Sequence, residues 1–404
     1  MRNRVLIIVQ NLPVPFDRRV WLECQALVSA GYRVAVVCPK GSGDPEYEVV
    51  DTVELYKYKP YAPGGSKLSF IAEYVYSFLA TARLTLKARR SGRFAVIQAC
   101  NPPDIFWPIA MAFRAIERTR FVFDHHDLCP ELYQSRFPDG PTAPYRGLRA
   151  LERRTHRAAD HVISTNGSYR EKALTRGGKS PADVTIVRTG PDPEHLRRGP
   201  ADPEQRRGRR FLAAYIGVMG PQDGVDIVVR AADIVVRELG RTDIAFTLIG
   251  SGDCFDELVT LRDELGLAGH VEFTGRAPDD LVALVLSTAD VGLSPDPKNP
   301  LNDLSTMNKT MEYMAFGLPV VAFDLRETRV SAGDAAVYAT PNDVREYAEA
   351  IVSLMDDEPA RVRLGDLGRA RIEDELAWDH QKQAYLEVYR RMTGAVAPLA
   401  RAGS

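Results

Sequence analysis

The chain has 404 residues, 45% hydrophobic and 26% charged, a globular composition too long for one hydrophobic core, so two domains are expected. Its net charge of −2 hides an asymmetry: residues 1–200 carry 30 Lys+Arg against 20 Asp+Glu, the remainder 22 against 34. Five scattered cysteines without zinc-site pairing, a start on the strand-like VLIIV rather than a signal peptide, and no apolar run of roughly 18 residues exclude a zinc framework and a membrane span and lead us to expect a reduced, cytoplasmic setting.

Near the N-terminus, VLIIVQ (5–10), YRVAVVC (32–38), FAVIQA (94–99), FVFD (121–124) and HVIST (161–165) read as strands buried on both faces, because they lack polar alternation. Helical patterns at 18–30, 104–116 and 145–158 lie between them, as in a doubly wound parallel sheet. The first loop, QNLPVPFDRRVW, contains no glycine, which argues against a nicotinamide or flavin cofactor. Arg18 and Arg19 at the following helix start can clasp an anion; Asp17 capping that helix, with solvated arginines, is the plain alternative.

The segment KLSFIAEYVYSFLATARLTLKARR places Phe70, Tyr74, Ser77, Phe78 and Ala82 on one helix face, with Lys67, Arg83, Lys87, Arg89 and Arg90 at its ends. Two readings follow: an interfacial helix on an anionic membrane, joined by the basic helix YRGLRALERRTHRAA, or a helix packed into its own domain. FDHHDLCPE sets Asp124, His125, His126 and Asp127 at a strand's carboxyl end, where open sheets place ligands. Contiguous side chains converge poorly on one ion, so a histidine touching a sugar or pyrophosphate is expected rather than a metal ligand. The basic half fits an anionic surface or substrate; no interleaved aromatic and basic pattern points to nucleic acid.

A Pro/Arg-rich stretch, 191–210, reads as an exposed linker. The pattern then restarts with FLAAYIG, IAFTLIG, HVEFTG, DVGLSP, LPVVAF and AAVYA as strands. Gly217 and Gly220 follow the first of these and Gly250 and Gly252 the second, where a ligand can approach the backbone, and Arg276 follows the third. In LNDLSTMNKTMEYMAFGLPVVAFD, Met307, Met311, Met314 and Ala315 repeat with a helix period. Ser305 or Thr306 is expected to cap that helix, which starts near Thr306 and stops at Gly317. Its open amides suit a phosphate, with Asn308, Lys309 and Glu312 nearby; an ordinary capped helix with a Lys309/Glu312 ion pair is the alternative. The expected architecture is α/β: two Rossmann-like doubly wound domains facing a central cleft, with a C-terminal helix crossing back. The expected boundaries are 1–190, linker 191–210, 211–375, crossover helix 376–392 and flexible tail 393–404.

These motifs, from NLPVPFDRRVW through NDLSTMNK to EYMAFGLPVVAFD, resemble the GT-B nucleotide-sugar-dependent glycosyltransferases of retaining family four, in the branch that builds bacterial surface polysaccharides and glycoconjugates. The resemblance covers nearly the whole chain and extends to motif order. It implies a retaining transferase moving a sugar from a UDP- or GDP-sugar, held mainly by the C-terminal domain, to a glycan, lipid-linked or other acceptor held by the N-terminal one. Glu312 matches the second glutamate of the family's E-x7-E motif, whose carboxylate takes the donor ribose hydroxyls, and His126 in Asp-x-His-Asp matches the histidine near the transferred sugar. Asp127, Lys309 and Glu312 complete the catalytic set with His126. The donor set is Gly217, Gly220, Gly250, Gly252, Arg276, Ser305, Thr306, Met307, Asn308, Glu312 and Arg329, and the acceptor set is Asn11, Asp17, Arg18 and Arg19.

Two departures stand out. Leu304 replaces the first glutamate of the motif, and the family's diphosphate-neutralising Arg and Lys fall at Val218 and Asp223. Lys309, Arg276 and Arg329 are the cations left to take that role, and no metal or other cofactor is expected besides the nucleotide-sugar co-substrate. A sugar-nucleotide epimerase of the same fold and a catalytically weak donor-binding protein are the alternative functions.

Overall fold

The structure, a computed structural model, describes residues 3–61, 67–193 and 196–394; the expected tail beyond 394 lies outside them. The chain divides into two compact units, one formed by residues up to Tyr133, Asp139–Arg188 and the chain from Gln381, the other by Gln134–Pro138 and Thr189–His380.

The first unit is built on eight strands: β1 (Arg4–Ile8), β2 (Arg33–Pro39), β3 (Tyr47–Val50), β4 (Val53–Tyr58), β5 (Val96–Cys100), β6 (Arg120–His125), β7 (His161–Ser164) and β8 (Val184–Ile186). They lie in the order β3-β4-β2-β1-β5-β6-β7-β8, all parallel except β3 against β4. The central runs are β-branched and buried on both faces, as parallel strands covered by helices must be. The hairpin β3–β4 and strand β8 are additions to the five strands expected. The hairpin turns at Asp51 (φ 47°) and Thr52 (φ 69°), the two left-handed residues that match a tight turn to the strand twist.

The helices of this unit are α1 (Arg18–Ser29), α2 (Lys67–Arg89), α3 (Trp107–Glu117), α4 (Cys129–Arg136), α5 (Thr142–Ala158) and α6 (Gly167–Thr175). Leu84 and Ala88 of α2 and Phe106, Ile109 and Phe113 at α3 bury one face of the sheet against Ile8, Ile97 and Phe123. The stripe expected to meet lipid is therefore partly an interior stripe: Ser77 is buried, and Phe78 and Ala82 pack on this core. The side chains of Lys67 and Phe70 lie outside the described residues. A different stripe is displayed, with Val75, Leu79 and Leu86 each more than half exposed beside Arg83, Lys87 and Arg90.

The second unit carries β9 (Phe211–Ile216), β10 (Ile244–Ile249), β11 (Val271–Gly275), β12 (Val291–Ser294), β13 (Val320–Phe323) and β14 (Ala336–Ala339). Their order is β11-β10-β9-β12-β13-β14, all parallel, so the six expected strands are those found. The helices continue as α7 (Val225–Asp233), α8 (Phe255–Glu264), α9 (Asp279–Thr288), α10 (Asn308–Ala315), α11 (Arg326–Ala332), α12 (Val344–Asp356) and α13 (Glu358–Arg371). The stretch expected as an exposed linker is exposed or half-buried at nearly all its described residues and is also bonded to this unit through its last residues. Arg206 forks onto Asp290 at 2.6 and 3.1 Å, and Arg207 donates to Thr247 Oγ1 and the Phe246 carbonyl. Helix α14 (Trp378–Thr393) begins in the second unit and returns to the first, where the Tyr385 and Tyr389 hydroxyls donate to Gln98 Oε1 of β5.

Candidate functional site

In the second unit α10 is bonded to the carboxyl ends of β9 and β12, the Tyr313 hydroxyl accepting from the Ile216 amide and donating to the Leu293 carbonyl. This helix starts at Asn308, two residues later than expected, and its N-cap residue, Met307, supplies no side-chain cap. The Ser305 hydroxyl donates backwards to the Leu301 carbonyl at 2.9 Å. The N-cap residue thus gives the first turn no side-chain cap, and its amides lie at the positive end of the helix dipole. Met311, Met314 and Ala315 are buried as the period demands, and Gly317 at φ 65° ends the helix.

Lys309 is held in an interior ion pair, which replaces the alternative Lys309/Glu312 pairing. Its Nζ donates to Asp296 Oδ1 at 2.5 Å, and Asp296 also accepts from Ser294 Oγ, itself bonded by Thr310 Oγ1. Burial works to lower the Lys309 pKa, but Asp296 and Asp223 outweigh it and hold the group above its ordinary value. Burial pushes the Asp223 carboxyl up, an effect that Lys309 only partly offsets. Lys309 thus brings to the first turn of α10 a permanent charge that its own domain already balances. Glu312 lies one turn further in and is half buried.

Of the four glycines expected at the donor site, Gly250 and Gly252 make room for neighbouring backbone. A Cβ on Gly250 would lie 1.8 Å from the Gly217 carbonyl oxygen, and one on Gly252 would lie 2.6 Å from that of Met219. The loops after β9 and β10 are therefore stacked backbone on backbone. A Cβ on Gly217 would crowd the Tyr215 hydroxyl at 2.9 Å and Lys309 Cε at 3.3 Å, and one on Gly220 would meet the Gln222 side chain at 2.9 Å. Arg276 is exposed at the end of β11. Arg329 is already engaged: it forks onto Asp324 at 2.7 and 2.9 Å and lies 3.7 Å from the centre of the Tyr338 ring.

In the first unit, Asp17 caps α1 by accepting from the Val20 amide at 3.1 Å, and Asn11 and Arg18 are exposed. Arg19, expected as an anion clasp or a solvated residue, is neither. It is buried, donating to Asp124 Oδ1 at 3.0 Å and to the Val187 carbonyl at 3.0 Å, with Glu23 Oε1 at 3.2 Å. The strand pleat separates the two histidines. His125 is fully buried against Phe123, His156 and Tyr169, while His126 is half buried with its Nε2 at 2.6 Å from Asp124 Oδ2. Asp127 is half buried, and burial raises its pKa despite His126 and His125.

Asn101, absent from the sequence expectation, fixes this loop. Its Oδ1 accepts from the His126 and Asp127 amides at 2.6 and 3.1 Å, and its Nδ2 donates to the Asp127 carbonyl at 2.7 Å. Its signal was its place at the carboxyl end of β5. Two groups of three metal-type side chains occur among the described residues, both in the first unit: Cys100/Asp124/His126 and His125/Glu152/His156. Neither suits an ion. Asp124 is committed to Arg19 and Gln98, burial raises the Cys100 thiol, and Glu152 is gripped by Arg176.

Residues 17–195 match the family described as Glycosyltransferase Family 4, and residues 210–357 match Glycosyl transferases group 1. A D-inositol 3-phosphate glycosyltransferase of Thermomonospora curvata is 29% identical over 272 residues, covering 62% of this chain and 61% of the relative. An MMP alpha-(1->4)-mannosyltransferase of Mycolicibacterium hassiacum is 25% identical over 254 residues, covering 62% of this chain and 59% of the relative. The matches thus span about three fifths of the length of these curated relatives. Sucrose-phosphate synthase from Thermosynechococcus elongatus shares the fold with a TM-score of 0.79 at 17% identity, over 98% of this chain and 100% of that one. Anabaena Alr3699/HepE in complex with UDP and glucose does so with a TM-score of 0.71 at 17% identity, over 96% and 100%. With one family match on each Rossmann-like unit and the GT-B fold shared along the chain, this protein belongs to glycosyltransferase family 4.

Proposed function

We propose that this protein transfers a sugar from a UDP- or GDP-sugar to a glycan, lipid-linked or other acceptor with retention of anomeric configuration. The reading rests on the start of α10, whose N-cap residue gives no side-chain cap, on a helix bonded to the carboxyl ends of β9 and β12, with Glu312 one turn inside. The α10 amides receive the diphosphate and stabilise it as it leaves, while Glu312 accepts from the ribose hydroxyls. Lys309 contributes charge, reduced by Asp296 and Asp223, so the amides carry the larger share. A relative acting on D-inositol 3-phosphate, a mannosyltransferase and a fold neighbour that holds UDP and glucose support this chemistry. Glu312→Ala is expected to weaken nucleotide-sugar binding by about 1–3 kcal/mol, the cost of losing a charge-assisted hydrogen bond in a desolvated site. Titration calorimetry tests this, and unchanged affinity in a folded variant would remove Glu312 from the donor site.

Transfer proceeds without a bound metal, because helix amides and Lys309 supply the stabilisation, and neither metal-type cluster draws on the second unit. Activity is expected to persist in excess EDTA; loss restored by magnesium or manganese would contradict this.

The protein works in the cytoplasm at an anionic membrane surface, in polysaccharide or glycoconjugate synthesis. No helix among the described residues is long and apolar enough to cross a membrane, so the contact is peripheral. Val75, Leu79 and Leu86 offer an apolar stripe on α2, flanked by Arg83, Lys87 and Arg90. On α5, Arg146, Arg149, Arg153, Arg154 and Arg157 are exposed. Each basic residue near anionic lipid contributes about 1 kcal/mol, which salt screens. Co-sedimentation is expected with phosphatidylserine vesicles at low salt and to weaken in Leu79→Glu. Equal recovery in the supernatant with neutral and anionic vesicles would contradict docking.

A further inference from the structure

His126 Nε2 faces two mutually exclusive partners. Asp124 Oδ2 lies 2.6 Å away and Arg19 Nε 2.9 Å away. A ring nitrogen that donates to the carboxylate has no lone pair left for the guanidinium, and one that accepts from the guanidinium would set its lone pair against the carboxylate. The carboxylate contact is shorter and charge-assisted. Arg19 Nη2 donates to Asp124 Oδ1 at 3.0 Å, and Arg19 Nε lies 3.2 Å from Glu23 Oε1. Burial works to neutralise Asp124, yet Arg19 and His126 outweigh it and hold the carboxyl below its ordinary range. Gln98 Nε2 fixes Asp124 Oδ2 from a further side at 3.0 Å. The ionised carboxylate is thus immobile and fully buried, whereas the His126 side chain keeps 16% of its surface.

We propose that Asp124, backed by Arg19, is the positioning residue of His126: it accepts the Nε2 proton and locks the imidazole, leaving Nδ1 to accept a hydrogen bond from a hydroxyl of the transferred sugar. The backbone clamp from Asn101 and this side-chain clamp together remove the freedom the ring would have at a loop, so its geometry is set before substrate arrives. A ring anchored at Nε2 can swing only by breaking a buried, charge-assisted contact. The inference rests on the reading that His126 meets the donor sugar.

Two measurements test it. In the wild-type protein, two-bond proton–nitrogen correlations of the His126 ring, assigned by their loss in His126→Gln, are expected to show Nε2 protonated and Nδ1 bare in the neutral form. A bare Nε2, as acceptance from Arg19 requires, would overturn the proposal whether or not the protein transfers sugar. Asp124→Asn is then expected to lower kcat roughly 10- to 100-fold, the usual cost of losing the partner that orients a reactive ligand, with donor Kd unchanged within about twofold. A donor Kd that rises as kcat falls would indicate a merely structural role. If Asp124→Asn does not fold, Arg19→Lys, which keeps the charge and loses the fork, is expected to give the same split; an unaltered kcat there would overturn the proposal. Absence of transfer in the wild type with every donor would defeat the functional reading while leaving the nitrogen assignment to judge the clamp.

Discussion

Gly250→Ala is expected to destabilise the second unit by about 3 kcal/mol or more, because it combines backbone strain with overpacking, two routes to the largest single-site losses. Gly250 sits at φ 142°, and Gly217 opposite it at φ 151°. An added Cβ 1.8 Å from the Gly217 carbonyl cannot be relieved by a side-chain rotation, since backbone faces backbone. The loops after β9 and β10 must part, although the Gly217 amide donates to the Ile249 carbonyl and the Gly250 amide to that of Gly275, each at 3.0 Å. A melting temperature lower by roughly 6–12 °C follows for a domain of this size. Gly199→Ala is the control: its Cβ would meet only Ser287 Oγ at 3.6 Å. Equal melting temperatures for the two variants would show that the loop stacking is not as described.

The second large effect is at Lys309. Lys309→Met removes the partner of Asp296 and leaves a carboxylate that is 2% exposed without its cation. Breaking one side of such a buried pair costs about 3–5 kcal/mol, whereas replacing both sides with neutral groups of similar volume is often nearly neutral. The double variant Lys309→Met/Asp296→Asn is therefore expected to recover most of the stability. Donor affinity separates the two roles of the lysine. If Lys309 helps hold the diphosphate, the double variant is stable but binds donor more weakly than the wild type; if it recovers both stability and affinity, Lys309 is only structural. Chemical denaturation and donor titration on the same samples decide the point.

The fold was legible where burial dictates composition. All six strands of the second unit were expected because VLI-rich runs between helices can be little else in a parallel sheet. The hairpin β3–β4 was missed because its strands, YEVV and VELYKY, mix charge with apolar residues at a sheet edge, and its turn is Asp51–Thr52 rather than a glycine pair. Around the site, residue type and position were legible but commitments were not. Arg19 and Arg329 read as available cations; only three-dimensional neighbours, Asp124 and Glu23 for one, Asp324 and Tyr338 for the other, show them engaged. Lys309 could be placed in the first turn of α10 from its spacing, but Asp296, 13 residues earlier, could not be identified as its partner. At Gly250 and Gly252, expected as places where a ligand can approach the backbone, the atoms closest to an added Cβ belong to other backbone.

Donor binding is the central claim, and a panel of UDP- and GDP-sugars tests it most directly, read first as a rise in melting temperature and then as release of nucleoside diphosphate with acceptor present. Binding only to the native state raises stability with the logarithm of ligand concentration over Kd. We expect one nucleotide-sugar to give a saturable stabilisation that Glu312→Ala weakens, with diphosphate released on addition of acceptor and the anomeric configuration of the sugar kept in the product. No stabilisation by any UDP- or GDP-sugar at millimolar concentration, or conversion of the sugar-nucleotide to an isomer without acceptor, would contradict the account.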